Sequence, residues 1–254
     1  MYLWLLFEGF EERLVVSMKN LGIIGGLGPM ATVYFMELVI KMTDVKKDQE
    51  HIRIYLQSIP DTPDRTAYIC GENEDSPLPC FVRAGTSLEA QGADFIAIPC
   101  VTAQYFYKEL TQRLNIPVIP LISELEKEIK VSGIKKVGIL ATDGTIKSKI
   151  IQKQLNADGI ETVVPDKEDQ TMIMDLIYNQ IKAGKKVNMP QFCRVLEHLK
   201  KQGAQKLILG CTELSLIKRD FTIDEDCIDV LDVLAKNAVQ CSGAPLKKEY
   251  LHLI

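Results

Sequence analysis

Long apolar runs, an excess of basic charge and clustered metal ligands are all missing from this sequence. No apolar run reaches roughly 18 residues, the length that predicts a membrane-spanning helix, so we expect no membrane association. The formal net charge is −4, which leaves no basic field to hold nucleic acid. The histidines are few and scattered, at His51, His198 and His252. Without a Cys/His cluster, neither a zinc site nor any other bound metal is predicted.

Cysteine pairing also lacks support in the sequence. There are 7 cysteines, an odd number, and no CxxC pair occurs among them. A disulfide framework is therefore not expected, and the composition favours a reducing cytoplasm in which thiols stay free to react. The seven lie at Cys70, Cys80, Cys100, Cys193, Cys211, Cys227 and Cys241.

The first residues lack the features of a secretory signal. Met1–Phe7 is apolar, but acidic residues follow at once, and there is neither a basic start nor a small-residue cleavage site. Met18 resembles a natural start just before the first strand. We therefore expect residues 1–17 to be an N-terminal extension, either frayed or folded as a helix on the surface.

What the sequence does contain is a regular alternation of short apolar runs with helical patterns. The hydrophobic share of 46% and the charged share of 25% are ordinary for a globular enzyme. Leu21–Ile24 is followed by a glycine-rich turn and by helical spacing over Ala31–Met42. This alternation predicts an α/β fold with parallel sheets covered on both faces. Further strands are predicted at Ile52–Leu56, Phe95–Ile98, Val118–Ile119, Val137–Leu140, Leu207–Leu209 and Ile228–Val230.

An internal repeat divides the chain into two similar parts. Leu88–Ala93 is followed by an apolar run and Cys100, and Leu199–Ala204 by an apolar run and Cys211, at an offset of 211 − 100 = 111 residues. The repeat predicts two similar parallel-sheet lobes related by a pseudo-twofold axis, with the active site in the cleft between them. We expect lobes over 18–120 and 121–240 and a tail over 241–254, with the C-terminal segment able to return to the first lobe.

Two cysteines at matched strand ends favour a particular chemistry. Ligands bind beyond the carboxyl ends of parallel strands, and Cys100 and Cys211 each occupy such a position before a predicted helix, whose N-terminus favours thiolate. Racemisation needs one base and one acid on opposite faces of a carbon, and two symmetry-related thiols supply that pair. The alternative is that both are small buried hydrophobic residues, the usual state of a free cysteine; the repeat favours the catalytic interpretation.

Six segments together resemble the aspartate/glutamate racemase superfamily, and most of all its aspartate racemase branch, from about residue 18 to 239. The resemblance implies two α/β lobes, a cysteine pair as acid and base, no pyridoxal phosphate, no metal and a homodimer. The implied activity is cofactor-independent interconversion of L- and D-aspartate, or of the glutamate enantiomers. The segments are Gly25–Thr32, Pro63–Ile69, Pro99–Ala103, Ala141–Ile146, Ile181–Gly184 and Gly210–Glu213.

The resemblance also implies a set of substrate-binding residues. Arg65 and Lys182 match the cations that bind the acidic side chain of the substrate, in agreement with the match between a guanidinium fork and a carboxylate. The turn around Gly28 lacks the full GxGxxG spacing, so it predicts a carboxylate-accepting turn rather than a dinucleotide site. Within the matched segments we also assign substrate contacts to Gly28, Thr102, Thr145, Thr212 and Glu213.

Three positions depart from the family pattern. Val101 and Gln104 stand where the family usually has Asn and His, and Asp143 replaces a usually neutral residue. Val101 cannot form the side-chain hydrogen bond that Asn offers a charged substrate, and losing one such bond costs about 1.5–3 kcal/mol. The added carboxylate of Asp143 would repel an acidic substrate if it faced the site. Two alternatives therefore stay open: a racemase of another amino acid or of hydantoins, and a catalytically weak amino-acid-binding or regulatory protein.

Overall fold

The structure is a computed structural model that describes residues 18–223 and 226–254. The predicted extension over residues 1–17 lies outside the described residues. Seven β-strands form the two sheets of the described part: β1 (Leu21–Gly25), β2 (Ile54–Ser58), β3 (Phe95–Ala97), β4 (Lys136–Leu140), β5 (Glu161–Val163), β6 (Lys206–Leu209) and β7 (Cys227–Asp229).

Helices cover both faces of these sheets. A π-helical turn over Leu176–Ile181 and a 3-10 helix over Thr102–Phe106 also border the site described below. The α-helices are α1 (Pro29–Met42), α2 (Arg65–Cys70), α3 (Leu78–Gln91), α4 (Tyr107–Thr111), α5 (Leu121–Ser132), α6 (Asp143–Ser148), α7 (Ile150–Ala157), α8 (Lys167–Asp175), α9 (Met189–Lys201), α10 (Leu214–Asp220) and α11 (Val230–Ser242).

The two sheets have the same strand order. The first runs β2-β1-β3 and the second β5-β4-β6-β7, with every pair parallel. Val118 extends the first sheet by a parallel bridge to Ile96, in the place that β7 takes beside β6. This confirms the predicted α/β fold with two similar parallel sheets. Strands that are covered on both faces read as continuous apolar runs, and β1 is buried along its whole length.

The strand predictions fail at sheet edges. β5 was not predicted because it is short and partly exposed, so its sequence carries no buried apolar run. Val118–Ile119 was predicted as a strand but forms only a bridge at Val118. Pro117 and Pro120 border this run, and a proline has no N–H to donate to a neighbouring strand.

The chain ends on the first lobe. α11 packs against α1 and also against α5. Beyond α11, the backbone N–H of Asp44 donates to the carbonyl of Pro245 at 2.7 Å, and the N–H of Lys247 donates to Met42 at 2.9 Å. The expected boundaries between the two lobes at residue 120, and between the second lobe and the C-terminal tail at residue 240, stay predictions. In the described part of the chain, no helix is both long and apolar enough to cross a membrane.

Candidate active site

Cys100 and Cys211 line the same small cavity between the lobes. Cys100 follows β3 and Cys211 follows β6, so each thiol lies beyond the carboxyl end of the central strands of its sheet. Each cysteine is only 6% exposed. The cavity has a volume of about 10 Å³, room for about one water molecule. Its walls also include Leu27, Asp64, Arg65, Thr66, Val101, Thr102, Thr142, Tyr178, Lys182, Thr212 and Glu213.

A much larger outer cavity, which we call the vestibule, lies next to the thiol cavity. Its volume is about 750 Å³. The glycine-rich turn, the π-helical turn and α10 contribute to its walls, and Met30, Ile181, Leu216 and Arg219 are among the lining residues. The vestibule and the thiol cavity are therefore adjacent and share part of their walls. The side chains that line both spaces are those of Leu27, Asp64, Arg65, Tyr178, Lys182 and Glu213.

Arg65 is the buried cation beside Cys100. It is the first residue of α2 and is 7% exposed. Its Nη2 donates to the carbonyl oxygen of Leu27 at 2.6 Å, and its buried Nε has no hydrogen-bond partner among the described residues. Burial acts to lower the pKa of Arg65, but the negative charges of Cys100 and Asp64 hold that pKa above its usual value. The guanidinium thus lies beside the sulfur of Cys100 and keeps one buried donor, Nε, for a ligand.

Cys211 has an acidic neighbour. Its Sγ lies 2.9 Å from Oε2 of Glu213, a residue that is 4% exposed. Burial of the thiol and the adjacent Glu213 carboxylate raise the pKa of Cys211 well above its usual value, against a smaller lowering by Lys182. The expected stabilisation of thiolate by a helix N-terminus is therefore outweighed at this position. The resting form of Cys211 is the thiol.

Lys182 lines both the vestibule and the thiol cavity. It follows the π-helical turn directly, and turns of this kind occur frequently at functional sites. Its Nζ is 3.9 Å from Oε1 of Glu213 and 4.3 Å from the ring centroid of Tyr178. The Tyr178 hydroxyl in turn donates to Asp64 at 3.1 Å. Lys182 thus presents a positive charge to any ligand that enters.

The predicted threonines form a hydrogen-bonded junction between the lobes. Thr102 of the first lobe lies 3.2 Å from Thr142 and 3.1 Å from Thr145, both of the second lobe, measured between hydroxyl oxygens. Thr66 donates to Thr142 at 3.0 Å. Thr145 is fully buried behind Thr142 and is not among the residues lining the cavity.

Two further predicted residues tie the site loops together. The Thr212 hydroxyl donates to the carbonyl of Pro99 at 3.2 Å, which connects the loops that carry the two cysteines. Gly28 lies against Glu213, since a Cβ at position 28 would be 2.7 Å from Oε1. In the same turn, the N–H of Gly26 donates to the Thr32 hydroxyl at 2.9 Å and is not available to a ligand.

The three departures from the family pattern fall in different places. Val101 lines the thiol cavity and is 2% exposed. Asp143 does not line either space, and its Oδ1 accepts from Nε2 of Gln170 at 2.7 Å. Gln104 is buried but is not among the cavity-lining residues. Of the three, only Val101 changes the surface that a ligand in the cavity would touch.

Sequence reasoning missed five residues of the cavity wall, namely Leu27, Asp64, Thr66, Thr142 and Tyr178. Four of them lie inside the matched segments and were not assigned roles. Asp64 has a recognisable signal, because an Asp before a helix is a typical N-cap, and its carboxylate accepts from the N–H of Ala67 at 2.9 Å. Over residues 18–223 and 226–254, no group of three His, Cys, Asp or Glu residues is arranged to hold a metal ion.

Comparisons with known proteins agree with this architecture. The family model described as Asp/Glu/Hydantoin racemase matches residues 24–238. The broad specificity amino-acid racemase RacX of Bacillus subtilis (strain 168) is 32% identical over 231 residues, which is 86% of this chain and 96% of that protein.

Solved structures give the same answer. The structure of Picrophilus torridus aspartate racemase is 32% identical and superposes with a TM-score of 0.80 over 91% of this chain and 97% of its own. A glutamate racemase from Bacillus anthracis, 20% identical, shares the fold with a TM-score of 0.61 over 90% of this chain and 83% of its own. Because the family model and a relative above 30% identity both span most of the chain, this protein belongs to the Asp/Glu/hydantoin racemase family: it is an amino-acid racemase, an isomerase, and independence from pyridoxal phosphate fits this family.

Proposed function

We propose that this protein interconverts the L and D enantiomers of aspartate, or of glutamate, with Cys100 and Cys211 as its two acid–base groups and without an added cofactor. The observation that carries the proposal is that both thiols line one buried cavity at corresponding strand ends of the two lobes. Inversion at a carbon needs proton transfer on both of its faces. Two groups from opposite lobes meet that need.

The chemical steps follow from this placement. One sulfur, as thiolate, takes the α-proton, and the electron pair of the C–H bond stays on the α-carbon. The other sulfur, as thiol, donates its proton to the opposite face, and the product has the inverted configuration. The two sulfurs have then exchanged protonation states, which prepares the site for the other enantiomer.

The surroundings of the two sulfurs assign their first roles. Arg65 places positive charge beside Cys100. Burial and the Glu213 carboxylate raise the pKa of Cys211, so it starts as the proton donor. We therefore propose Cys100 as the base for the first enantiomer and Cys211 as the acid, with the reverse assignment in the opposite direction.

Selection of an acidic side chain is proposed for Arg65 and Lys182. The unpartnered, buried Nε of Arg65 is a donor that a carboxylate would satisfy. Lys182 is 24% exposed at the entrance, 3.9 Å from Glu213. A dicarboxylic amino acid brings a second negative charge to these cations. The Asp143 carboxylate, which we considered a source of repulsion, is bonded to Gln170 outside the cavity.

A racemase of wider substrate range is the second candidate. The observation that favours it is Val101, whose apolar side chain lines the thiol cavity where the family usually offers an amide. A relative named as a broad specificity racemase is also 32% identical. A screen of both enantiomers of the common amino acids in D₂O, with loss of the α-proton followed by NMR, separates the candidates. A binding or regulatory protein would show no exchange with any of them.

Single-thiol variants test the two-base mechanism. In Cys100→Ser and in Cys211→Ser, racemisation should collapse in both directions, because each direction needs both groups. The remaining sulfur, when deprotonated, should still exchange the α-proton of the one enantiomer presented to it, with configuration kept, so the two variants should label opposite enantiomers with deuterium. Exchange should be slower in Cys100→Ser, because the raised pKa of Cys211 keeps most of that sulfur as the thiol. Cys193→Ser is the matched control, because Cys193 is exposed and lies away from the site. The mechanism is wrong if both site variants label the same enantiomer, or if either keeps wild-type racemisation.

A homodimer and a cytoplasmic location complete the proposal. The homodimer rests on the resemblance to the aspartate racemase branch, and the location rests on the free cysteines of the chain. Light scattering during gel filtration would test the dimer, and a mass near 28.5 kDa, that of a single chain, would exclude it.

A further inference from the structure

Of the two cations that we propose to select the substrate, Tyr178 contacts Lys182 directly and contacts the residue next to Arg65. Its ring centroid lies 4.3 Å from Nζ of Lys182, which follows four residues later in the chain. Its hydroxyl lies 3.1 Å and 3.3 Å from the two carboxylate oxygens of Asp64 and donates to them. Asp64 directly precedes Arg65. One side chain therefore touches Lys182 and the residue next to Arg65.

Asp64 transmits this contact to the backbone that carries Arg65. It is the N-cap of α2, and its Oδ1 accepts from the N–H of Ala67 at 2.9 Å. Such a cap fixes the first turn of a helix, and Arg65 is the first residue of that turn. The position of the Asp64 carboxylate thus determines where the Arg65 side chain starts.

The contact also joins the two lobes. Asp64 and Arg65 belong to the first lobe, whereas Tyr178 and Lys182 follow α8 in the second. The separation of the two cations therefore depends on how the lobes are held against each other. The Tyr178 hydroxyl is a dependable donor, because burial and the neighbouring Asp64 charge raise its pKa and keep it protonated at neutral pH.

We propose that Tyr178 is the positioning residue that sets the spacing of Arg65 and Lys182 for an acidic substrate. Its ring restrains the Lys182 ammonium by a cation–π contact, and its hydroxyl restrains α2 through Asp64. The inference rests on the proposed function, since it assumes that these cations bind the side-chain carboxylate.

Two substitutions separate the ring from the hydroxyl. Tyr178→Phe removes only the bond to Asp64, and Tyr178→Leu also removes the ring beneath Lys182. For Tyr178→Phe we expect the KM for aspartate and the Kd for succinate, a dicarboxylate with no amino group, to rise roughly 2- to 10-fold, the usual range for one hydrogen bond. The rise should be larger for Tyr178→Leu. The kcat for aspartate and the KM for alanine should change less than about twofold. Both variants lose the positioning of the substrate's side-chain carboxylate, which alanine does not have.

A matched control is available within the chain. The hydroxyl of Tyr107, in α4, donates to the carbonyl of Val118 at 3.3 Å, and Tyr107 does not line the thiol cavity or the vestibule. Tyr107→Phe therefore deletes a comparable hydrogen bond outside the site and should leave both succinate binding and aspartate KM at wild-type values. Thermal unfolding of all three variants shows whether each is folded at the assay temperature.

The outcomes distinguish this inference from the function on which it rests. If the wild type racemises aspartate and binds succinate, but Tyr178→Phe binds succinate as tightly as the wild type does, the inference is wrong and the proposed function stands. A variant that loses kcat equally for aspartate and alanine with unchanged KM also overturns it. If the wild type racemises neither aspartate nor glutamate and does not bind succinate, the proposed function itself fails.

Discussion

Replacing Gly28 by Ala tests the arrangement around Glu213 with a single methyl group. Gly28 precedes α1 with φ −109° and ψ 157°, a conformation that alanine also adopts, so the change introduces no backbone strain. The added Cβ would lie 2.7 Å from Oε1 of Glu213, whereas ordinary contacts begin at 3.4 Å. The carboxylate must therefore move by about 3.4 − 2.7 = 0.7 Å.

That movement is expected to cost activity more than stability. Glu213 accepts a hydrogen bond from Cys211 at 2.9 Å and lies 3.9 Å from Lys182, so its displacement disturbs one thiol and one cation together. A misplacement of about 1 Å near reacting groups can cost on the order of 100-fold in rate. We expect kcat/KM to fall roughly 10- to 100-fold and the free energy of unfolding to change by less than about 1 kcal/mol, because the displaced group is the end of a flexible side chain.

Gly85→Ala is the matched control for this change. Its Cβ would lie 2.7 Å from both terminal methyl carbons of Leu114, the same overlap at a distance from the thiols. Alanine favours the helix by about 0.5–1 kcal/mol, but overpacking costs about 1–3 kcal/mol, so stability should fall while activity per folded molecule is kept. Initial rates of aspartate racemisation and urea unfolding of both variants are the measurements. The reasoning is refuted if Gly28→Ala keeps kcat/KM within twofold of wild type, or if Gly85→Ala loses as much activity.

Three further predictions concern cofactors, substrate choice and pH. Activity should survive chelators and carbonyl reagents but be lost on thiol alkylation, and loss of turnover on metal removal would contradict this. The alkylation is measured in a Cys193→Ser, Cys241→Ser double variant, because these two cysteines are exposed. Arg65→Ala should raise the KM for aspartate far more than that for alanine, and equal activity of the wild type on acidic and neutral amino acids would disprove the selection. Burial and the Asp232 charge raise the pKa of Asp229 to about 7, above about 3.9 in unfolded chains. Because the pKa is higher in the folded state, the protonated Asp229 carboxyl stabilises the fold below about pH 4, and this stabilisation is lost as the pH rises through about 7. Asp229→Asn should therefore flatten the dependence of the unfolding free energy on pH between these values. An unchanged dependence would contradict the prediction.

The sequence alone determined the architecture, because the apolar runs and helical spacings that predict it are local patterns. Buried parallel strands are continuous apolar runs, and their alternation with helices predicts parallel sheets covered on both faces. The 111-residue repeat places Cys100 and Cys211 equivalently before any coordinate is known. Even the glycine-rich turn follows locally: Gly26 has φ 84°, a left-handed conformation that glycine adopts without strain.

The tertiary structure decided the chemical surroundings of those residues, because they depend on contacts between segments that are far apart in sequence. A helix N-terminus favours thiolate at Cys211 when it is considered locally, but burial and Glu213 outweigh it. The sequence suggested repulsion between Asp143 and an acidic substrate, yet the Asp143 carboxylate is hydrogen-bonded to Gln170, 27 residues away. The bond between Tyr178 and Asp64 spans 114 residues. Side-chain direction and burial are set only when the lobes pack together, so no pattern within one segment could have predicted them.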